Sequence, residues 1–393
     1  MKTERMTRLV VLISDVPGSG LDARARALFA RLPKRFDATL VCHRGNRLER
    51  VRHFLDTLRA ARPDIVYIVD PIYAAVAAIW VYRATHRTRV VVDTGDLVYE
   101  LAREIGKLGR AELAIVNWAE QTALRMADAI IVRGSFHREL LLQRGYSRVE
   151  VIPDGVDCEQ FYPMDVSGWR AAIGLRPGDI AIGTVGTLNW NMRRKICYGW
   201  DLVEALALLR DLPVRGLLIG DGDGLAILKA RAQELGIAKR VIFTGRISYA
   251  HLARFINALD IALLTQPVSP ISNVRTTGKL PLFLACDRYI LASRVGEVAR
   301  VLVPEMLLPY DGIGRDENYP LRMAEKIRAL ARAPERLRLR GRGVGIARKY
   351  FDYAALAHAL RGVIERARGE WSVECYRVSR KFSGRFCRAI FAA

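Results

Sequence analysis

The 393-residue chain has no CxxC pair; its six cysteines, Cys42, Cys158, Cys197, Cys286, Cys375 and Cys387, are scattered. That spacing argues against a zinc site and a disulfide framework, and it favours a reducing compartment. The six histidines are equally dispersed, and none has the HExxH spacing of a metalloprotease. No apolar run reaches the roughly 18 residues that span a bilayer. The longest, Ile72 to Tyr82, stops at Arg83. The N-terminus lacks the apolar core and small-residue cleavage site of a secretory leader, so a cytoplasmic location is expected. Acids are scarce: 41 Asp and Glu stand against 62 Lys and Arg, a net charge of +21. Such a field attracts polyanions. An arginine-favouring base composition explains the bases but not the shortage of acids. The chain has no RNA-recognition sheet motif, zinc-finger spacing or basic recognition helix, so nucleic acid is not the expected partner. Anionic lipid and phosphorylated ligands remain.

Hydrophobic residues make up 51% and charged residues 26%, a globular composition. The length calls for two domains of about 150–200 residues each. Arg8–Ser14 is a continuous apolar run, as expected of a strand buried on both faces of a parallel sheet. Ala38–Cys42, Ile65–Asp70, Val90–Asp93, Ala129–Val132 and Val149–Ile152 repeat the pattern, with helices between them, among them Leu21–Leu32 and Leu101–Met126. After Pro163 the alternation restarts with strands at Ile180–Val185, Gly216–Ile219, Val241–Phe243, Ile261–Leu264 and Tyr289–Ala292. Pro334–Tyr350 and Tyr353–Arg368 read as late helices. The expected architecture is α/β, with two Rossmann-like, doubly wound parallel-sheet domains facing a central cleft. Their bounds are 1–163 and 164–350, followed by a C-terminal helix and basic tail over 351–393. The turn Pro153-Asp154-Gly155 marks the exit from the first sheet.

Four loops follow strands and carry candidate chemistry. Gly18 and Gly20 precede a helix and suit either an anion-binding loop or a structural turn. Gly220-Asp221-Gly222-Asp223-Gly224 reads as a backbone wall near a ligand, with Asp223 equally suited to capping the next helix; no metal is expected there. Asn189–Lys195 offers Arg193, Arg194 and Lys195 for a diphosphate, or a solvated charge run. Arg275-Thr276-Thr277-Gly278-Lys279 places hydroxyls, a glycine and cations at a helix start, as in a phosphate cradle.

In order, Ala127–Pro163, then GTVGTLNW, LLIGDGDG, VIFTGRISYAHLARFINALDIALL and GKLPLFLACDRYILASRVGEV resemble the retaining GT-B glycosyltransferases of glycosyltransferase family 4. The likeness covers about residues 8–365. It implies a nucleotide-sugar donor, such as a UDP- or GDP-sugar, held mainly by the second domain, an acceptor held mainly by the first, and no metal or other cofactor. It also implies donor contacts at Gly18, Gly20, Arg246, Thr276, Thr277, Gly278, Lys279, Gly296 and Glu297. The chain departs from the family in three places. Gly95 stands where many members carry a histidine, Thr187 and Tyr198 where an Arg–Lys pair grips the diphosphate, and Val274 and Leu282 where two glutamates stand. Arg193, Arg194 and Lys195 are the expected replacement cations, and Asp96 or Asp93 is expected to orient the acceptor hydroxyl.

The segment Glu370–Ala393 spaces Trp371, Cys375, Val378, Phe382, Phe386 and Ile390 on one helical side and basic residues on the other. That pattern suggests contact with an anionic membrane surface, or a helix docked on the body. The expected activity is sugar transfer to a glycan or lipid-linked acceptor in cell-surface polysaccharide or glycolipid synthesis, by an enzyme peripheral to the inner face of the membrane. The alternatives are a catalytically silent nucleotide-binding paralogue and a basic membrane-associated scaffold.

Overall fold

The computed structural model describes residues 6–42 and 45–369. The basic tail from Glu370 onward lies outside the described residues. By contacts the chain divides into two units. The first takes the chain up to Gly155, the short piece Val274–Thr276 and the stretch from Tyr353. The second takes Val156–Asn273 and Thr277–Asp352. The chain thus passes from one unit to the other inside the Pro153–Asp157 turn region.

Unit 1 holds a six-stranded sheet of β1 (Thr7–Ile13), β2 (Phe36–Cys42), β3 (Ile65–Val69), β4 (Arg89–Thr94), β5 (Ala129–Val132) and β6 (Val149–Val151). Its spatial order is β2-β1-β3-β4-β5-β6, and every pairing is parallel. All five residues of β3 and five of six in β4 are buried, because helices cover both faces of the sheet. On one face α2 (Arg47–Ala61), α3 (Tyr73–Arg83) and α5 (Arg110–Met126) enclose a core that includes Phe54, Leu58, Ile79 and Leu124. On the other, α1 (Gly20–Phe29) and the C-terminal helix Tyr353–Arg368 bury Leu28, Leu356, Leu360 and Ile364. Two further helices complete the unit, α4 (Val98–Ile105) and α6 (Ser135–Gln143).

Unit 2 repeats the plan with β7 (Ile180–Val185), β8 (Val214–Ile219), β9 (Val241–Phe243), β10 (Ile261–Leu264), β11 (Tyr289–Ser293) and the short β12 (Leu307–Leu308). Its order is β12-β11-β10-β7-β8-β9, again parallel throughout. Strand order reverses between β7 and β10. In sheets of this kind ligands bind beyond the carboxyl ends of the strands at such a point.

Two helices expected as continuous are broken, and glycine explains both. Leu101–Met126 becomes α4 and α5 because Gly106 caps α4 in the left-handed region, at φ +71°, and Gly109 precedes α5. Pro334–Tyr350 becomes a short 3₁₀ turn, Pro334–Leu337, and a helix, Arg342–Tyr350, because Arg340 and Gly341 both take positive φ.

The C-terminal helix closes one face of unit 1 with Leu360, which is fully buried. Leu360→Ala is expected to destabilise the protein by about 2–5 kcal/mol in denaturant unfolding.

Candidate functional site

In unit 2 the loop after β7 is held against the loop after β8 chiefly by backbone hydrogen bonds. Gly186 N–H donates to Ile219 O (2.9 Å), Leu188 N–H to Asp221 O (2.9 Å), and Gly224 N–H to Leu188 O (2.8 Å). Gly220 has φ +138°, and a Cβ there would lie 1.9 Å from Gly186 O, so only glycine permits this approach. The carboxylates of the Gly-Asp-Gly-Asp-Gly run serve the same bracing. Asp221 accepts from Gly222 N–H (2.8 Å) and Asp223 from Trp190 N–H (2.6 Å). Asp223 thus braces the β7 loop, and Gly224, with no side-chain bond, caps the following helix.

Over this braced turn stands Lys279, the first residue of the helix Lys279–Ala285. Its ammonium lies 3.2 Å from the centre of the Tyr198 ring. A Cβ on Gly186 would meet Lys279 Cε at 2.9 Å and Nζ at 3.2 Å. The cation therefore sits where β7 ends, at the point of strand reversal. Tyr198 is one of the two positions where the resemblance expects a diphosphate-gripping cation. The cation found beside that position, Lys279, comes instead from the segment after β10.

The other donor-side candidates are placed as follows. Thr277 Oγ1 accepts from Lys279 N–H (3.4 Å), and Thr276 Oγ1 is buried without a hydrogen-bond partner. Gly278 caps the Lys279 helix. Gly296, at φ +60°, donates its N–H to Asn273 Oδ1 (3.1 Å), and a Cβ there would press on Ser272 O and Asn273 O at 2.9 Å. Glu297 is buried at the start of the next helix. Arg246 is exposed, next to Gly245. In the Asn189–Lys195 loop, Asn191 Oδ1 accepts from the N–H groups of Arg193 (3.1 Å) and Arg194 (2.9 Å). Arg194 reaches Ser269 Oγ at 3.4 Å, while Arg193 and Lys195 are exposed. Val274 and Leu282 are buried apolar residues. In unit 1, Gly18 has φ +79° and gives its N–H to Asp22 Oδ2 (2.8 Å), and Gly20 begins α1 behind its cap Ser19. A carboxylate of the chain thus already occupies the Gly18 N–H.

The carboxyl ends of the unit 1 strands carry a buried ion network that composition does not foretell. Arg24, on α1, is 2% exposed. Its Nε donates to Asp93 Oδ2 (3.0 Å), and its other nitrogens donate to Pro153 O (2.6 Å) and Ile152 O (2.8 Å). Tyr67 O–H donates to the same Asp93 oxygen (2.7 Å). Arg133 Nε faces Asp93 Oδ1 at 3.5 Å and Asp154 at 3.7 Å, and Arg133 donates to Asp70 at 3.2 Å. Burial alone would raise the Asp93 carboxyl, but the two guanidiniums hold it below the usual carboxylate range. Asp70 goes the other way, because its burial outweighs Arg133. Asp93 is 1% exposed, with Oδ2 hydrogen-bonded and Oδ1 facing only Arg133, so its position suits anchoring rather than contact with an acceptor. Asp96 is half-buried, with its carbonyl accepting from Thr94 Oγ1 (3.0 Å).

Arg133 also accounts for Gly95. A Cβ at Gly95 would lie 2.4 Å from Arg133 Nη1, so no side chain, histidine included, fits while Arg133 stays in place. His137 is no substitute. Burial, with Arg133 and Arg144 nearby, lowers its pKa to about 3. It is neutral at physiological pH and too weak a base to take a proton. Among the described residues no group of three or more His, Cys, Asp or Glu side chains is placed to hold a metal ion.

In unit 2, Asp201 is buried with its Oδ1 lacking a hydrogen-bond partner, and burial with nearby Asp316 pushes its pKa up to about 7. A carboxyl whose folded pKa is raised contributes stability below its unfolded pKa and loses it as pH rises through the folded value. Wild type is therefore expected to lose stability between about pH 4 and pH 7 through this group. Asp201→Asn is expected to be the more stable protein at pH 8, by on the order of 2–4 kcal/mol, and to show a flatter pH profile in chemical unfolding. Arg24→Ala leaves Asp93 buried without its guanidinium and is expected to cost about 3–5 kcal/mol in the same measurement.

Comparison with known proteins gives two family models in register with the two units. Residues 8–155 match the glycosyl transferase 4-like domain, and residues 180–333 match glycosyl transferases group 1. A D-inositol 3-phosphate glycosyltransferase of Segniliparus rotundus is 29% identical over 220 residues, 54% of this chain and 46% of that protein. One from Mycobacterium sp. strain JLS is 32% identical over 185 residues, 45% of this chain and 39% of that protein. The matches thus span less than half the length of these relatives. Among solved structures, sucrose-phosphate synthase from Thermosynechococcus elongatus superposes with a TM-score of 0.71 at 18% identity, covering 93% of this chain and all of that one. Anabaena Alr3699/HepE in complex with UDP-glucose gives 0.71 at 15% identity, covering 92% and 100%. These likenesses show a GT-B fold. With both domain models matched in order, the chain belongs to the family 4-type glycosyltransferases.

Proposed function

We propose that the chain transfers a sugar from a nucleoside-diphosphate sugar to a hydroxyl of a glycan or lipid-linked acceptor, with retention and without a metal ion. The observation that carries this reading is the Lys279 ammonium above Tyr198 at the strand reversal of unit 2. A positioned cation there can bind the diphosphate and stabilise the charge that develops as the glycosidic bond breaks. Gly186 and Gly220 hold the turn beneath it, so little reorganisation is needed at the moment of reaction. The leaving phosphate can itself take the proton of the incoming hydroxyl. The reaction then needs no side-chain base, which is consistent with Gly95 and with the neutral His137. Asp96 is assigned the role of orienting the acceptor hydroxyl, and Asp93 that of holding the strand ends around it.

The donor half of the reading draws support from the Anabaena fold neighbour, which is a complex with UDP-glucose, and the transfer half from the curated relatives, which are named D-inositol 3-phosphate glycosyltransferases. A glycan or lipid-linked acceptor at the inner membrane face accords with the net charge of +21. No helix of the described residues is long and apolar enough to cross a membrane, so the proposed association is peripheral. A second reading, a silent nucleotide-binding paralogue, draws on Val274 and Leu282, which stand buried where the family has glutamates.

Turnover of a panel of UDP- and GDP-sugars separates the two. The transferase reading predicts hydrolysis or transfer of at least one donor, with Lys279→Ala lowering kcat/KM by about 10²–10³-fold. The Arg194→Ala, Lys195→Ala pair is expected to cost less, because Arg194 leans on Ser269 and Lys195 is exposed. Donor binding without turnover would select the silent paralogue.

A further inference from the structure

Trp80 is 66% exposed and Trp118 43%, and both belong to the same helical layer of unit 1. Near the end of α3, Trp80, Val81 and Ala84 line a groove of about 530 Å³ with Thr122 and Met126 of α5. On α5, Ile115, Trp118, Thr122 and Met126 recur at intervals of three and four, so they form one stripe along the helix. Trp118 stands one turn from the groove wall. Ile105 and Leu108, 47% and 37% exposed, lie at the turn from which α5 starts. Trp80, Val81, Ile115 and Trp118 are 40–66% exposed, and an exposed apolar cluster of this kind marks an interaction surface.

Basic residues predominate at the two ends of the stripe. From Pro71 to Val92 the chain has no acid, while Arg83 and Arg87 follow Trp80 and are exposed. From Ile105 to Ala111 there is again no acid, while Lys107 and Arg110 are exposed. The two acids of α5 are engaged elsewhere. Glu112 pairs with Arg47, and Glu120 is buried, accepting from the N–H groups of Val98 (2.7 Å) and Tyr99 (3.2 Å). Tryptophan favours the depth of lipid headgroups, and exposed Lys and Arg favour an anionic leaflet. An apolar stripe with basic ends fits that surface better than it fits a second copy of this basic chain.

We propose that the outer face of α3 and α5, with the α4–α5 turn, docks on an anionic lipid surface, with Trp80, Trp118 and Leu108 at headgroup depth. The proposal deepens the peripheral location given above, but it rests on residues other than the tail and on no step of the transfer reaction. It is tested with the full chain by co-sedimentation with vesicles of phosphatidylglycerol and phosphatidylethanolamine, against vesicles of phosphatidylcholine alone. Wild type is expected to bind the anionic vesicles and to be released by salt. Trp80→Ser with Trp118→Ser is expected to weaken binding by about tenfold or more, with the wild-type melting temperature kept. Lys107→Glu with Arg110→Glu, which leaves every apolar side chain in place, is expected to do the same. Equal binding by wild type and both variants would overturn the proposal, as would loss of binding only on deleting residues 370–393. A dimer of wild type in vesicle-free solution that the tryptophan changes dissociate would assign the face to a second copy instead. Donor turnover is read separately, so failure of this surface leaves the transfer reading untouched.

Discussion

Every strand pairing in both sheets is parallel, and this constraint organises the rest of the molecule. A parallel strand can be followed only by a crossover, so helices must cover both faces and all carboxyl ends collect on one rim. Each rim concentrates backbone carbonyls and loop ends that need partners. Unit 1 meets that demand with charge, since Arg24 and Arg133 tie Asp70, Asp93 and Asp154 together across the carboxyl ends of β3, β4, β5 and β6. Unit 2 meets it with close backbone approach, glycine against carbonyl, and seats a cation, Lys279, over the Tyr198 ring on that rim. The two rims are thereby suited to different tasks.

The Asp93 anchor and the Gly95 vacancy follow from the same arginine. Arg133 fills the volume into which a side chain at position 95 would grow, and it also neutralises carboxylates that would otherwise be buried and unpaired. A side chain at 95 therefore requires Arg133 to move out of the carboxylate network. Under the proposed function the departures at Thr187 and Tyr198 are met similarly, by a cation carried on the helix Lys279–Ala285, whose ammonium lies over the Tyr198 ring. In both cases a residue that reads as a loss along the chain is balanced by one distant in sequence.

That pattern explains what was legible in the sequence. The buried strands could be read directly, because a strand covered on both faces is apolar without interruption, as in Leu9–Ile13 and Ile65–Val69. Helix breaks at Gly106 and at Arg340–Gly341 were misread, since one positive φ ends a helix without altering its hydrophobic period. The burial of Arg24 leaves no local signal, because its partners, Asp93 and Ile152 to Asp154, lie more than sixty residues away. Lys279 was recognisable from its loop, but Tyr198 as its seat was not, since no local rule brings the start of one helix over a loop eighty residues earlier. Similarly, helical periodicity placed an interfacial pattern in the tail, while the exposed stripe of α5 became visible only once α3 lay beside it.

The central claim is that Lys279 holds the diphosphate of the donor. Calorimetric titration of wild type and Lys279→Met with UDP and with UMP, and with the guanosine pair, tests it most directly. The account predicts that wild type binds one diphosphate at least about tenfold tighter than its monophosphate, and that Lys279→Met removes most of this difference while binding the monophosphate nearly as before. An unchanged preference for the diphosphate in Lys279→Met would contradict it.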